Sequence, residues 1–287
     1  MKQPVYVSAF ARISLRHPDP DYTGMFPVME ARRMSPLMKR AIAVSQQALA
    51  QAGIAVPDAI ITGTGLGCIG NTEVFLRSLT GLSDAPLRPT HFMQSTHNTI
   101  SSLIAIKLQC HGYNATYSQG GISFESALLD AFVQLQTGQV ANVLVGAFEE
   151  MTPDYAAMLG KTGWTGVRAD DGRLSETAVA MVLTAERGRA LCEIADVRLS
   201  CARPRVKPGV TPQSTPGSPD AVMPGLPRHL TRADYVPLYG DNFCVSALGA
   251  CDAVESVASG RSASVLLEND FHGKSHARIL FTGLCGR

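Results

Sequence analysis

The chain's 287 residues are 45% hydrophobic, 17% charged and 6% aromatic, enough apolar content to bury a large core, which excludes a disordered or low-complexity polymer. Lys and Arg total 25 against 24 Asp and Glu, so the net charge of +1 provides no basic field for a polyanion and excludes nucleic acid as an expected partner. No run approaches the roughly 18 apolar residues of a membrane span, and the N-terminal MKQPVYVSAFARIS lacks a secretory apolar core, so no membrane span and a cytoplasmic address are expected.

Along the chain, the first clear punctuation is Ser35 as a helix cap, Pro36 at the first helical position and Gly53 as a left-handed stop. Between them Leu37, Ala41, Val44, Ala48 and Ala52 form an apolar stripe at helical spacing. Ala59 to Thr64 has the β-branched content of a buried strand, and Thr72 to Leu79 reads as a short helix. The two prolines between Gly81 and Thr90 predict a loop, followed by a helix from about Asn98 to Gln109 and a short strand over Tyr113 to Tyr117. Ser123 to Thr137 is the clearest helix, with Ser123 as its cap, Glu125 in its first turn and Gly138 as its stop.

Asn142 to Ala147, NVLVGA, is apolar throughout, as an inner strand of a covered sheet is. From about Ser175, ETAVAMVLTAE and ALCEIADVRLS predict two successive strands, and the proline-rich stretch from Cys201 to Leu226 predicts a surface loop. A small-residue helix over Asn242 to Ser259 and two strands, ASVLLEND and ARILFTGL, close the chain. Strand and helix alternate in the α/β manner, and each half pairs a small-residue helix with an apolar strand, which hints at internal duplication. The seven cysteines, Cys68, Cys110, Cys192, Cys201, Cys244, Cys251 and Cys285, include no C-x-x-C pair or zinc-type cluster, so buried thiols and no metal site are expected.

Five local features bear on chemistry. Gly65-Leu-Gly67-Cys-Ile-Gly70 fits G-x-G-x-x-G, but no second strand ending in an acid follows, so a glycine turn between packed layers is favoured over a dinucleotide site. Ser118 and Ser123 lie at a strand-to-helix elbow where nucleophiles occur, although a structural turn and a helix cap explain them too. His97 before a helix is either a base or a hydrogen-bonding cap. Glu149 and Glu150 are adjacent on a strand, so their side chains point to opposite faces and a joint role is not expected. Asp170-Asp171-Gly172 reads as a turn.

Taken in order, ARRMSPLMKRAIAVSQQALAQAGI with IITGTGLGC, PTHFMQSTHNTISSLIAIKLQCHGYNATYS, GISFESALLDAFVQLQTGQVANVLVGAFEE and SETAVAMVLTAERGRAL resemble the β-ketoacyl synthases, condensing enzymes of the thiolase fold. The resemblance implies an α/β, thiolase-like αβαβα layered fold in a single domain, residues 1–287, with a first half over 1–174 and a shortened second half over 175–287. It also implies positions for the catalytic residues. Counting back from Gly138 and Glu149 puts Gly121 where the family has its nucleophilic cysteine, with Ser123 matching a serine; an alternative register puts Gln119 there. The family's K-x-x-x-G-H motif is matched by V-P-L-Y-G-D, from Val236 to Asp241, so Asp241 takes the histidine's place. The other histidine motif, N-x-H-G-T, does not occur. A thiolate to carry the acyl group and two histidines to stabilise the enolate are what condensation requires.

The wording THNTIxS, GYNxTYS and GxSFExALLDA further resembles chain-length factors, the degenerate partners of active ketosynthases in type II polyketide systems, and among them the small aryl-polyene type. That implies no catalytic residues, no cofactor and no metal. It implies a heterodimer with an active β-ketoacyl synthase through Tyr113, Asn114, Ala115, Thr116, Tyr117 and Ser118, with Phe92 and Met93 reaching the acyl tunnel, or else packing in the core. An acyl carrier protein would dock on the complex. Two rivals remain: an acyltransferase or hydrolase using Ser118 or Ser123 with His97, and a homodimeric module that binds an acyl chain or its carrier.

Overall fold

In chain order the computed structural model forms β1 (Tyr6–Ser14), α1 (Val28–Ala31), α2 (Pro36–Ala52), β2 (Ala59–Gly63), α3 (Ile69–Leu79), α4 (Pro89–Met93), α5 (Thr99–Leu108) and β3 (Tyr113–Tyr117). A 3-10 turn (Gly120–Ile122) leads into α6 (Ser123–Gln136), β4 (Asn142–Glu150), α7 (Pro153–Lys161), β5 (Glu176–Thr184) and β6 (Cys192–Cys201). The chain ends with β7 (Arg228–Leu230), α8 (Arg232–Tyr239), α9 (Ser246–Ala258), β8 (Ser264–Phe271) and β9 (Ser275–Thr282). The structure describes residues 2–82, 86–164, 166–201 and 227–284, so the expected proline-rich surface loop lies outside the described residues.

Local chemistry accounts for the best-defined elements. Ser35 Oγ accepts the Met38 N–H at 3.3 Å, Pro36 opens α2, and Gly53 closes it at φ 72°, the left-handed region that glycine enters without a Cβ penalty. Ser123 behaves differently from its expected role as a cap: it is the first residue of α6, and its hydroxyl donates to Gly120 O at 2.6 Å and accepts the Gln119 N–H at 2.9 Å. It braces the turn before the helix. α4 begins inside the predicted loop because Pro89 fits a first helical turn, and β1, α1, α7, β7 and α8 are additional to the elements read from sequence.

The nine strands form one sheet in the order β3-β2-β4-β5-β1-β6-β9-β8-β7. In the first half β2 runs parallel to β4, β4 antiparallel to β5, and β5 antiparallel to β1. The second half repeats this: β7 is parallel to β8, β8 antiparallel to β9, and β9 antiparallel to β6. The hint of duplication is thus visible in the pairing, with no counterpart of β3 among the described residues. β5 pairs on both sides with first-half strands, and the repeated pattern takes in β6 to β9. Within the sheet the halves meet where β1 pairs with β6, at Tyr6 with Glu193 and Val7 with Cys192.

The layers follow from which faces are apolar. One face of the first half packs on α2 and α5 through Leu37, Ile42, Val44, Ile60, Ile104, Leu144 and Val182. Its other face packs on α6, and α6 with α9 forms a central layer that also meets β6, β8 and β9 through Phe124, Leu128, Val143, Leu248, Val254, Leu267 and Phe281. The outer face of the second half is different: Glu268, Asp270, His276 and Arg278 alternate with buried residues, and Arg278 pairs with Glu268 at 2.9 Å across strands. A half-solvated antiparallel sheet reads this way. The α/β thiolase-like layering is therefore present, and the outer helices of the shortened half are absent among the described residues. No described helix is long and apolar enough to cross a membrane.

Candidate functional site

The ends of β2 and β4 and the start of α6 converge with the β8–β9 hairpin. At the end of β4, the loop after β2 crosses over its parallel neighbour. Glu149, fully buried, accepts the N–H of Gly65 (2.5 Å) and of Leu66 (3.1 Å), while Glu150 accepts the N–H of Gly70 at 3.0 Å. Gly67 N–H donates to Thr64 Oγ1 at 2.9 Å. The two carboxylates leave β4 on opposite faces and serve no joint acid/base site here; each holds part of the crossing segment, Glu149 the loop after β2 and Glu150 the first turn of α3. The amides that would bind a pyrophosphate are already engaged, by carboxyl oxygens and the Thr64 hydroxyl.

Burial pushes the Glu149 carboxyl up to about 8, against the pull of the two N–H donors, and burial raises Glu150 as well. Between the ordinary carboxylate range and about pH 8 the folded chain therefore holds a proton that the unfolded chain has lost, so stability falls as pH rises through that window. The slope for one such group is at most about 1.4 kcal/mol per pH unit. We expect urea midpoints to decline from pH 5 to pH 8, and Glu149→Gln to flatten that decline while lowering the midpoint at pH 5, since an amide must oppose one N–H donor. An unchanged slope in the variant would place the proton elsewhere.

Gly121 is buried in the 3-10 turn before α6, and its carbonyl accepts Asn269 Nδ2 at 2.7 Å. The same amide donates to Glu125 Oε1 at 2.6 Å, and burial raises the pKa of that fully buried acid. Asn269 Oδ1 accepts Arg232 Nη1 at 2.8 Å, and Arg232 Nη2 pairs with Asp241. Asp241 Oδ2 accepts Trp164 Nε1 at 2.9 Å, and its backbone N–H donates to Gly166 O at 2.6 Å. A continuous polar chain thus runs from Gly121 to Asp241, the two positions that the sequence resemblance singles out. Around it Trp164, Phe243, Phe271 and His272 pack with ring centroids 4.4–5.6 Å apart.

Among the described residues, the candidate nucleophiles and His97 are placed as follows. Ser123 is engaged with the backbone, Ser118 is exposed at the end of β3, and His97 Nε2 lies 3.3 Å from Gly65 O. Gln119, the alternative register, is exposed and accepts Ser126 Oγ at 2.5 Å. The described thiols are buried and free: burial pushes Cys68 and Cys192 up to about 12, raises Cys244 and Cys251 as well, and Cys110 donates to Pro57 O at 3.2 Å. The Asp171 turn is as expected, its carboxylate accepting the Arg173 N–H at 3.0 Å.

β3 is the edge strand of the first half. Asn114 and Thr116 face α5, bonding Ser101 O (3.1 Å) and Ser101 Oγ (2.7 Å), while Tyr113 reaches Asp130 on α6 at 3.1 Å. Ala115 and Tyr117 pack partly buried against the central core. Phe92 and Met93 are 56% and 70% exposed on α4, so neither packs in the core; Phe92 rests on the Phe75 ring at 5.3 Å. Ile106 of α5, 74% exposed, and Met93 line the same surface groove.

A family model described as the β-ketoacyl synthase N-terminal domain matches residues 11–217. No curated protein matches the chain. Among solved structures, a type II PKS acyl-carrier protein in complex with its hexaketide-bound ketosynthase (AntDE:AntF) has a TM-score of 0.76 at 13% identity, over 99% of this chain and 100% of that one. The ishigamide ketosynthase/chain length factor has a TM-score of 0.72 at 16% identity, over 99% and 100%. Ketosynthase ApeO in complex with its chain length factor ApeC from Xenorhabdus doucetiae has a TM-score of 0.73 at 12% identity, over 98% of each chain. At these identities the likeness is one of fold, and it runs the full length.

Proposed function

The chain belongs to the β-ketoacyl synthase family, and from that premise we propose that it is a non-catalytic, chain-length-factor-type subunit of a type II polyketide or fatty-acid-like elongation system, pairing with an active β-ketoacyl synthase, stabilising it and shaping its acyl tunnel. The observation that carries this reading is the pair of positions 121 and 241. Glycine offers no atom to hold an acyl group, and Asp241 is tied to Arg232 and Trp164 rather than free to donate a proton. The fold is otherwise complete enough to align with ketosynthases along its length. In this reading residues 1–287 are one domain of two unequal halves.

Pairing is supported by β3, whose open edge offers unpaired backbone groups for a second sheet to extend. Tyr113, Asn114, Ala115, Thr116, Tyr117 and Ser118 form this contact, and Phe92 and Met93, exposed on α4, face the tunnel. The wording of the β3 and α6 segments favours the aryl-polyene type, with the acyl carrier protein docking on the assembled, cytoplasmic pair. The test is expression of this chain alone and with a ketosynthase from the same genome, followed by size exclusion and intact-mass analysis after adding acyl-loaded carrier protein. A soluble heterodimer acylated only on the synthase is expected. Acyl transfer to this chain, or a stable homodimer with no affinity for the synthase, overturns the reading.

A further inference from the structure

We infer that the β8–β9 hairpin is a built-in plug: Phe271 fills the volume that a side chain at position 121, or the end of an acyl chain beside it, would need, so that this subunit's own site is closed and substrate enters only the partner's. The inference rests on the assignment of position 121 in the preceding reading, and it adds a residue and a mechanism for closing the site.

Asn269 and Phe271 are two residues apart on β8 and so face the same way. Asn269 holds the Gly121 carbonyl at 2.7 Å. A Cβ placed on Gly121 would stand 2.0, 2.1 and 2.5 Å from three atoms of the Phe271 ring, closer than any real contact. One strand therefore pins the residue with one side chain and covers its α-carbon with the next. Phe243 repeats the device at Gly65, where a Cβ would lie 2.3–2.7 Å from its side chain.

The ring has little room to leave. Phe243, Trp164 and His272 stand against it at 5.6, 5.4 and 4.4 Å, and the Arg232 guanidinium lies 5.3 Å from its centroid. The hairpin turns through His272 (φ 54°) and Gly273 (φ 66°), with Lys274 N–H closing on Phe271 O at 3.1 Å and Phe271 paired with Ser275 across the turn. Histidine is an unusual occupant of that region, and its ring packs on Trp164 at 5.1 Å, which ties the turn to the same cluster.

Gly121→Cys, Phe271→Ala and the double variant test the plug in the full chain, in its synthase complex if that is the soluble form. Gly121→Cys is expected to lower Tm by about 5 °C or more, as overpacking against a wedged ring does. The double variant is expected to regain at least half of that loss, and its new thiol to react with iodoacetamide about tenfold faster than in the single variant. Phe271→Ala should open a cavity on the order of 100 Å³, a scale that takes up benzene, and show a benzene-dependent rise in Tm that the wild type lacks. Wild-type stability in Gly121→Cys, additive losses in the double variant, or no benzene effect in Phe271→Ala each overturn the plug. If Gly121→Cys does not fold, the benzene arm decides. These readouts report the ring over position 121 and not affinity for the synthase or acylation of it, so failure of the plug and failure of the partner reading are told apart.

Discussion

Arg232→Leu is expected to destabilise the chain by about 3–5 kcal/mol, the cost of removing one partner of a buried ion pair. The side chains of Arg232 and Asp241 are only 16% and 10% exposed. Without the guanidinium, Asp241 keeps a charge for which Trp164 Nε1 is the remaining side-chain donor among the described residues, and Asn269 loses the donor that fixes its amide between Gly121 and Glu125. Burial itself works against the charge on Arg232, pulling its pKa down, so the pair persists only because both ions are present. Arg232→Leu with Asp241→Asn removes both charges and keeps an acceptor for Trp164; it is expected to recover most of the loss. Urea unfolding of the four proteins gives the coupling directly, and additive losses would mean that the polar chain does not act as a unit.

Gly63→Ala should be comparably damaging from a single methyl group. Gly63 ends β2 between Tyr117 of β3 and Ala147 of β4, and a Cβ there would lie 2.4–2.6 Å from Ser123 O, Ser123 C and Phe124 N. All three are backbone atoms of the first turn of α6, and β2 is held by strands on both sides, so no flexible side chain can yield. The helix must lift from the sheet, at about 3 kcal/mol or more, the upper end of overpacking costs. A fall in Tm of roughly 6–12 °C or loss of soluble protein is expected, against a small effect for Ile61→Val in the same strand. A wild-type melting curve would show that α6 is free to move, which the close approach denies.

Elements punctuated by their own residues were legible in sequence: α2 between Ser35 and Gly53, α6 before Gly138, and the apolar β4. β1 was not read, although Val5, Val7, Ala9, Ala11 and Ile13 alternate at strand period and are all buried. α8 carries Pro237 inside it and a Thr231–Asp234 capping box at its start, a local cue outweighed by the proline.

The glycines at 63, 65 and 121 were visible as glycines, but why each is there depends on Ser123, Phe243 and Phe271, which lie far along the chain. Glu149 and Glu150 likewise show their use only once the loop after β2 is laid across the end of β4.

By itself the sequence determined the α/β class, the family, and the absence of a thiol at position 121 and of a histidine at 241, because composition, periodicity and residue identity are local quantities. Only the tertiary structure decided that Phe271 occupies the space over Gly121, that Asp241 is bound to Arg232, and that two carboxylates hold the glycine loop. Those are contacts between residues as many as 150 positions apart, and their energies come from close packing and desolvation, which exist only when distant segments meet.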